Sequence, residues 1–311
     1  MVYNQSVLVM LDLNRTNLSL PNCFYLDLRL EQTNDTFTAT VVTCIFNAVF
    51  SLITAIGNLV ILQVIWRKQE LHTPSFTLLF WLAASDLLVG LVCQPFYVAH
   101  KITELTDNFG VYCILRTIQS ISGWTTTGTS LILLSAVSID RLLVLTLHLR
   151  YNNIVTVKRI LQTVFVVWTF CVTIVMLRFC IHQWLIFPVA TVVTSFLVTT
   201  MCTLKIFQIV RRHQRQISQQ QMRVQSNTVD VLKCRKSAVT VLYVYGLFVI
   251  FYIPLCATMA LETLTGYTLT VKMAYDYAAT AVFMNSFLNP LVYCMRIGEI
   301  RRAVKHLLKR N

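Results

Sequence analysis

The chain has 311 residues, of which 56% are hydrophobic and only 13% charged, with a mean hydropathy of +0.65. A soluble domain carries about a quarter charged residues, so this composition excludes one and points to a membrane protein. The net charge of +13 would suggest nucleic acid in a soluble protein. No aromatic-interleaved basic platform accompanies it here, and no nucleic-acid partner is expected.

One membrane-spanning helix needs about 20 apolar residues. The apolar runs fall into seven, at about 39–65, 74–99, 114–140, 157–178, 184–210, 237–263 and 271–295. No strand alternation of the barrel type is visible, so backbone satisfaction in lipid requires helices. With the amino terminus outside, the external segments hold six Lys/Arg: Arg15, Arg29, Lys101, Arg116, Arg178 and Lys272. The other twenty of the 26 fall on the opposite side. The excess of basic residues within fixes that orientation and a cytoplasmic carboxy terminus, and it attracts anionic membrane lipid.

Residues 1–38 form a polar tail with four Asn-X-Ser/Thr sequons, at Asn4, Asn14, Asn17 and Asn34, expected to be glycosylated outside the cell. No cleavable signal is evident, and the first span is expected to direct insertion. Span one holds Gly57 and Asn58, a small residue and a polar one that suit a close neighbouring helix. Span two holds Leu82-Ala83-Ala84-Ser85-Asp86. Asp86 reads as the one carboxylate well inside the hydrocarbon, functional by default or a protonated acid bonded to a neighbour. Pro95 is expected to kink the end of this span.

Span three begins after Cys113 and ends in Asp140-Arg141, a pair too costly to leave in hydrocarbon without an interface or a partner. A basic amphipathic connector, including Tyr151, leads to span four with Trp168. Span five starts near Pro188 and leaves the membrane with a basic face. Span six holds Phe248, Tyr252 and Pro254, whose proline frees a carbonyl and makes a hinge. Span seven holds Asn285 and then Asn289-Pro290-Leu291-Val292-Tyr293. Residues 296–311 carry Ile297, Ile300, Val304, Leu307 and Leu308 on one face of an amphipathic helix along the inner surface.

The expected fold class is therefore an all-α membrane protein, a seven-transmembrane helix bundle over 39–295 with a short amphipathic eighth helix. Gly57-Asn58, Asp86, Asp140-Arg141, Trp168, Pro254 and Asn289-Pro290-Leu291-Val292-Tyr293, in this order and one per helix, resemble the rhodopsin-like (class A) G-protein-coupled receptors. The residues around Asp140 and the short link between helices 4 and 5 look like the melanocortin, cannabinoid, lysophospholipid and adenosine group, with the melanocortin receptors closest in appearance.

The resemblance implies a receptor at the plasma membrane, not an enzyme, that passes an extracellular ligand's signal to a heterotrimeric G protein. Asp140 would hold Arg141 at rest, Tyr151 would stand beside them, and Arg141 would meet the G protein when helix 6 swings out. Asp86, Ser130, Asn285 and Asn289 would line a site for a sodium ion and water. Pro254 would be the hinge, Phe248 and Tyr252 would repack beside it, and Asn289, Pro290 and Tyr293 would move inward toward Arg141. The partner that the resemblance gives Cys113 in the second outer loop would be Cys180, although melanocortin-like members manage without that bridge.

Three departures stand out. Leu142 follows the Asp-Arg pair, Tyr252 stands where Trp is usual, and Cys234 lies where many members place an acid that holds the arginine. The missing lock implies elevated basal activity. Where amine receptors carry an Asp in helix 3 this chain has Gly123, and where opsins carry a Lys in helix 7 it has Phe283. The melanocortin cage would need an acid at Phe96, and it is absent.

Near the mouth remain Arg116, Gln119, Trp124, Arg178, Phe187, Glu262, Asp276 and Phe283, with Gly123 and Tyr252 deeper. They suit a lipid, a small organic molecule or a short peptide. Arg116 or Arg178 would anchor an acidic headgroup, or else be an interfacial cation on a solvated loop. A constitutively active or decoy receptor is the main alternative. A transporter is a remote one, since neither inverted repeats nor several intramembrane charges are visible.

Overall fold

The computed structural model describes residues 33–106, 108–147, 150–181, 184, 186–220 and 228–310, with the side chains of all of these except 213–220, 228–245, 248 and 308–310. Three of the four sequons, at Asn4, Asn14 and Asn17, lie outside the described residues, as do the side chains of Phe248 and Cys234. Among the described residues the chain forms seven long helices and a shorter eighth. They are α1 (Asn34–Arg67), α2 (Pro74–Leu105), α3 (Phe109–Leu147), α4 (Val157–Leu177), α5 (Ile186–Gln220), α6 (Thr228–Thr265), α7 (Leu269–Arg296) and α8 (Gly298–Arg310). A 3₁₀ turn, Gln69–Leu71, and a one-turn helix, Tyr151–Ile154, lie in the connections. Six helices are long and apolar enough to cross a membrane, and Val249–Thr265 of α6 is a shorter apolar stretch. The face at which α1 begins is termed the N-face below, the opposite one the C-face.

Side chains at the ends set several helix boundaries. Thr33 caps α1: its Oγ1 accepts from the Thr36 amide while Thr36 Oγ1 accepts from the Thr33 amide. The helix therefore reaches into the tail expected to run to residue 38. Asn34 becomes its first residue, and the sequon hydroxyl of Thr36 is buried in the cap. Thr156 and Thr268 cap α4 and α7 more simply, their Oγ1 atoms accepting from the Arg159 and Val271 amides. Gly266 (φ +74°) ends α6 in the left-handed conformation that glycine adopts without a Cβ penalty, its amide donating to Glu262 O.

The bundle closes as a ring. Helix α1 packs on α2 and α7, α7 on α6, α6 on α5 and α5 on α3, while α3 also touches α2, α4 and α6. Its exterior is apolar, as Ile45, Phe46, Val49, Leu52 and Ile56 along α1 illustrate. The buried face of α1 is the polar one: Thr36, Thr40, Thr43, Asn47, Ser51, Thr54 and Asn58 recur at three- and four-residue spacing. Asn47 Nδ2 donates to Thr280 Oγ1 (2.9 Å), Ser51 Oγ to Gly90 O (2.8 Å) and Asn58 Nδ2 to Ser286 O (3.1 Å). With lipid as apolar as any side chain, such hydrogen bonds and close backbone approach hold the helices together.

The kink expected from Pro95 takes a specific form. Residues Val89–Cys93 make a wide π turn immediately before it. The proline ring clashes with the carbonyl four residues back, and the extra residue in the turn relieves that clash. At the same level α1 and α2 meet over Gly90, where a Cβ would stand 2.8 Å from Ala55 N and 3.0 Å from Ser51 O.

Helix α8 lies against α7 and α1, with Ile300 and Ala303 buried, Val304 and Leu307 packed on the core, and Arg301, Arg302, Lys305 and His306 exposed.

Because the Gly90 contact is with backbone, Gly90→Ala must push α1 off α2. It is expected to cost about 1–3 kcal/mol, read as a lower melting temperature of the purified chain. An unchanged melting temperature would rule out this close approach.

Candidate functional site

Polar side chains gather at three levels of the bundle. At the C-face, the carboxylate of Asp140 is held from two sides. Tyr151 Oη donates to its Oδ1 (2.5 Å) and Ser75 Oγ to its Oδ2 (2.7 Å), while Arg141 Nε stands 3.7 Å from Oδ2. Arg141 keeps a quarter of its side chain exposed, whereas Asp140 is buried. Burial first, and then the bond to Asp140, push the Tyr151 phenol up to about 12, so it stays protonated and donating through the physiological range. Ser75, at the start of α2, is a partner with no mark in the sequence beyond its hydroxyl.

At mid-depth α2, α3 and α7 meet around Asp86, which is fully buried. Asn289 Nδ2 donates to Oδ2 (2.7 Å) and Ser130 Oγ to Oδ1 (3.2 Å), and Ser85 and Ser130 share a hydrogen bond of 2.9 Å. Asn285 is buried but makes no hydrogen bond to Asp86 among the described residues; Ser286, one residue on, faces the carboxylate instead. No cationic side chain lies within ion-pair distance of Asp86 there. One turn nearer the C-face, the Tyr293 hydroxyl is buried with no hydrogen-bond partner among the described residues. Pro290 packs beside Gly57, and Pro254 lies within α6 next to buried Tyr252 and Leu255.

At the N-face the bundle opens into a cavity of about 500 Å³ whose wall includes Arg116, Gln119, Trp124, Arg178, Glu262 and Asp276. A narrower extension reaches past Gly123 and Phe283 to Leu255. Tyr252 lies beyond Trp124, in a separate apolar cleft. Arg178 Nη1 donates to Ser120 Oγ (2.8 Å), and its guanidinium stacks 4.2 Å over the Trp184 ring, which meets Trp124 edge-on. Arg116 donates weakly to the Tyr267 hydroxyl (3.4 Å), and its buried Nε has no hydrogen-bond partner among the described residues.

Two expectations are corrected. Phe187 does not join this wall; it is exposed in the first turn of α5, turned away by the helix start at Ile186. The Cys113–Cys180 bridge is not formed. Cys180 is a free, exposed thiol, and Cys113 is in a disulfide whose partner is not among the cysteines with described side chains.

A further cluster escapes the sequence altogether. Lys101, counted there as an external loop cation, is completely buried. Its Nζ lies 2.6 Å from Asp276 Oδ2 and 3.1 Å from Glu104 Oε2, and Glu104 also bonds Lys272. Asp86 is thus not the one buried carboxylate. Sequence shows these four as charges at the ends of apolar runs, where solvation is the ordinary expectation. What could have found them is that α2 continues six residues past the expected end at 99, carrying Lys101 and Glu104 within it.

Tyr151→Phe removes one of the two firm hydrogen bonds to buried Asp140. A loss of about 1–3 kcal/mol in stability is expected from a buried acceptor left short of a donor, measurable by thermal unfolding. No loss would mean that Ser75 alone satisfies the carboxylate.

A family model described as "7 transmembrane receptor (rhodopsin family)" matches residues 57–190 and 183–293. Among curated proteins, melanocortin receptor 5 of Rattus norvegicus is 22% identical over 274 residues, covering 83% of this chain and 81% of the receptor. Melanocortin receptor 3 of Mus musculus is 25% identical over 277 residues (83% and 82%). Trace amine-associated receptor 5 of Mus musculus is 26% identical over 291 residues (85% and 84%). With the seven apolar helices, the Asp86–Asn289 contact and the Asp140–Arg141 pair in place, the chain belongs to the rhodopsin family of seven-transmembrane receptors.

Proposed function

We propose that this receptor lies in the plasma membrane with its N-face outside and its C-face in the cytoplasm, and that a ligand in the N-face cavity drives a heterotrimeric G protein at the C-face through movement of α6. The observation that carries this reading is the contact of Asp86 with Ser130 and Asn289. It ties α2, α3 and α7 together at mid-depth, between the cavity and Arg141. A polar cluster in low dielectric has few satisfied arrangements, so a small shift on one side can select another packing on the other.

The ligand is a lipid, a small organic molecule or a short peptide with an acidic group. It seats between Trp124 and Phe283, with that group at Arg116 and Arg178. Tyr252 and Phe248 repack as α6 bends at Pro254, whose missing amide hydrogen bond makes the hinge. Arg141, held only at 3.7 Å by an Asp140 engaged elsewhere, is the group that leaves for the G protein. The buried hydroxyl of Tyr293 gains a partner as it turns inward with Asn289 and Pro290.

Asp86, Ser130 and Ser286 offer a hard oxygen set with no competing side-chain cation among the described residues. That set fits a sodium ion, which would supply positive charge to hold the carboxylate ionised.

Transfected cells expressing the unmodified chain and Arg141→Ala at matched surface levels test the reading. A G-protein signal above a mock control without added ligand is expected from the first and absent from the second. Silence from both, across the G-protein classes and a broad ligand panel, would favour a decoy. Once an agonist is in hand, Arg116→Ala is expected to lower its potency by tenfold or more, since charge-assisted contacts contribute about 1.5–3 kcal/mol. Full potency would remove Arg116 from the site.

A further inference from the structure

The cavity wall carries charges of both signs, so its lining alone leaves open which ligand charge it accepts. The contacts behind the wall are what differ. Asp276 faces the cavity from α7, but its Oδ2 is held at 2.6 Å by Lys101 Nζ, which approaches from α2 and does not itself line the cavity. Lys101 is wholly enclosed and also reaches Glu104 (3.1 Å), which in turn bonds Lys272. The order Asp276, Lys101, Glu104, Lys272 alternates in sign and sums to zero. Glu262, the other acid on the wall, is also engaged.

Arg116 is placed differently. It lines the same cavity from α3, yet no carboxylate stands within 4.0 Å of it among the described residues. Its neighbours are the Tyr267 hydroxyl at 3.4 Å and the Tyr112 ring at 5.9 Å, and its Nε has no hydrogen-bond partner among those residues. A carboxylate in the cavity can accept charge-assisted bonds from the terminal nitrogens of a guanidinium, of which Tyr267 holds one only at 3.4 Å.

We infer that Lys101 is the residue that sets the sign of the ligand. By neutralising Asp276 from behind, it denies that carboxylate to an amine and leaves Arg116 as a wall cation with no carboxylate at ion-pair distance among the described residues, so the cavity selects organic anions over organic cations. An amine that took Asp276 would leave the buried Lys101 ammonium only Glu104, which Lys272 already shares, and a buried charge that loses the shorter of its two ion pairs is destabilised. This deepens the acidic-ligand reading above and rests on it, but its test does not use G-protein signalling. A silent Arg141 comparison would leave the result standing, and the reverse also holds.

The probes are 2-naphthylacetate and 2-(2-naphthyl)ethylamine, similar in shape and opposite in charge. Each is titrated against the full chain in lipid nanodiscs, with thermal stabilisation and equilibrium dialysis as readouts. The unmodified chain is expected to bind the acid at least tenfold more tightly than the amine. Lys101→Met should cut that ratio tenfold or reverse it. Adding Asp276→Asn to Lys101→Met restores charge balance and should restore the preference for the acid. Arg116→Gln should lose acid binding tenfold or more. Equal binding, a preference for the amine, or no saturable binding of either probe by the unmodified chain would overturn the inference. So would a folded Lys101→Met with an unchanged ratio. Should Lys101→Met fail to fold, Asp276→Asn alone decides: freeing Lys101 must raise the acid-to-amine ratio, and an unaltered ratio overturns the inference.

Discussion

Polar groups in an apolar solvent must find one another, and this bundle is organised by that requirement more than by apolar packing. The polar stripe of α1 faces inward on α2 and α7, and the large apolar side chains of the same helix face out. Apolar contact with lipid is as favourable as apolar contact with a neighbouring helix, so it cannot choose which face turns in. Hydroxyls and amides can, because an unpaired one in hydrocarbon costs several kcal/mol. The small residues then follow. Gly90 stands where Ser51 reaches across, and Gly57 where Pro290 packs.

The same requirement distributes charge. Each buried carboxylate has a different solution: Asp140 is held by two hydroxyls, Asp86 by a hydroxyl and an amide, and Asp276 and Glu104 by ammonium groups. The first two are neutral-donor sites that can exchange partners, which suits positions proposed to change during activation. The ionic one is stiffer, since removing one partner of a buried pair costs about 3–5 kcal/mol. It joins α2 to α7 beside the cavity, so the wall that meets a ligand is fixed at one side while α6, packed on α7, carries a proline within it.

Much of this was legible in the sequence where a residue breaks a strong background. Asp86 inside an apolar run, Asn289 before Pro290, and Asp140-Arg141 at the end of another run each stand out without any knowledge of their partners. Lys101, Glu104, Lys272 and Asp276 did not, because the ends of apolar runs are where charges normally meet water. Their pairing joins positions 168 and 175 residues apart, a relation that no local pattern encodes. Phe187 failed for a related reason. Counting along a run gives depth but not which way the helix has turned when it starts. Ser75 and Ser286 were missed because a hydroxyl in a membrane helix can bond its own backbone and so carries little information.

The wide turn at Val89–Cys93 has a consequence for how this chain can vary. It spends one residue more than an α-helical turn, so everything beyond it in α2 is rotated by about 100° from where a regular helix would put it. Gln94, Tyr97 and Lys101, all wholly or nearly enclosed, hold their inward positions on the strength of that offset. Straightening that turn to a regular α-helix at unchanged chain length would leave every side chain's chemistry intact and yet rotate the Lys101 ammonium by about 100°, away from Asp276. The segment is thus a phase element. A one-residue deletion within 89–93 is absorbed as the turn narrows to an α-helical one, whereas loss of the turn at constant length would rewrite the charge of the cavity wall without changing any residue that lines it.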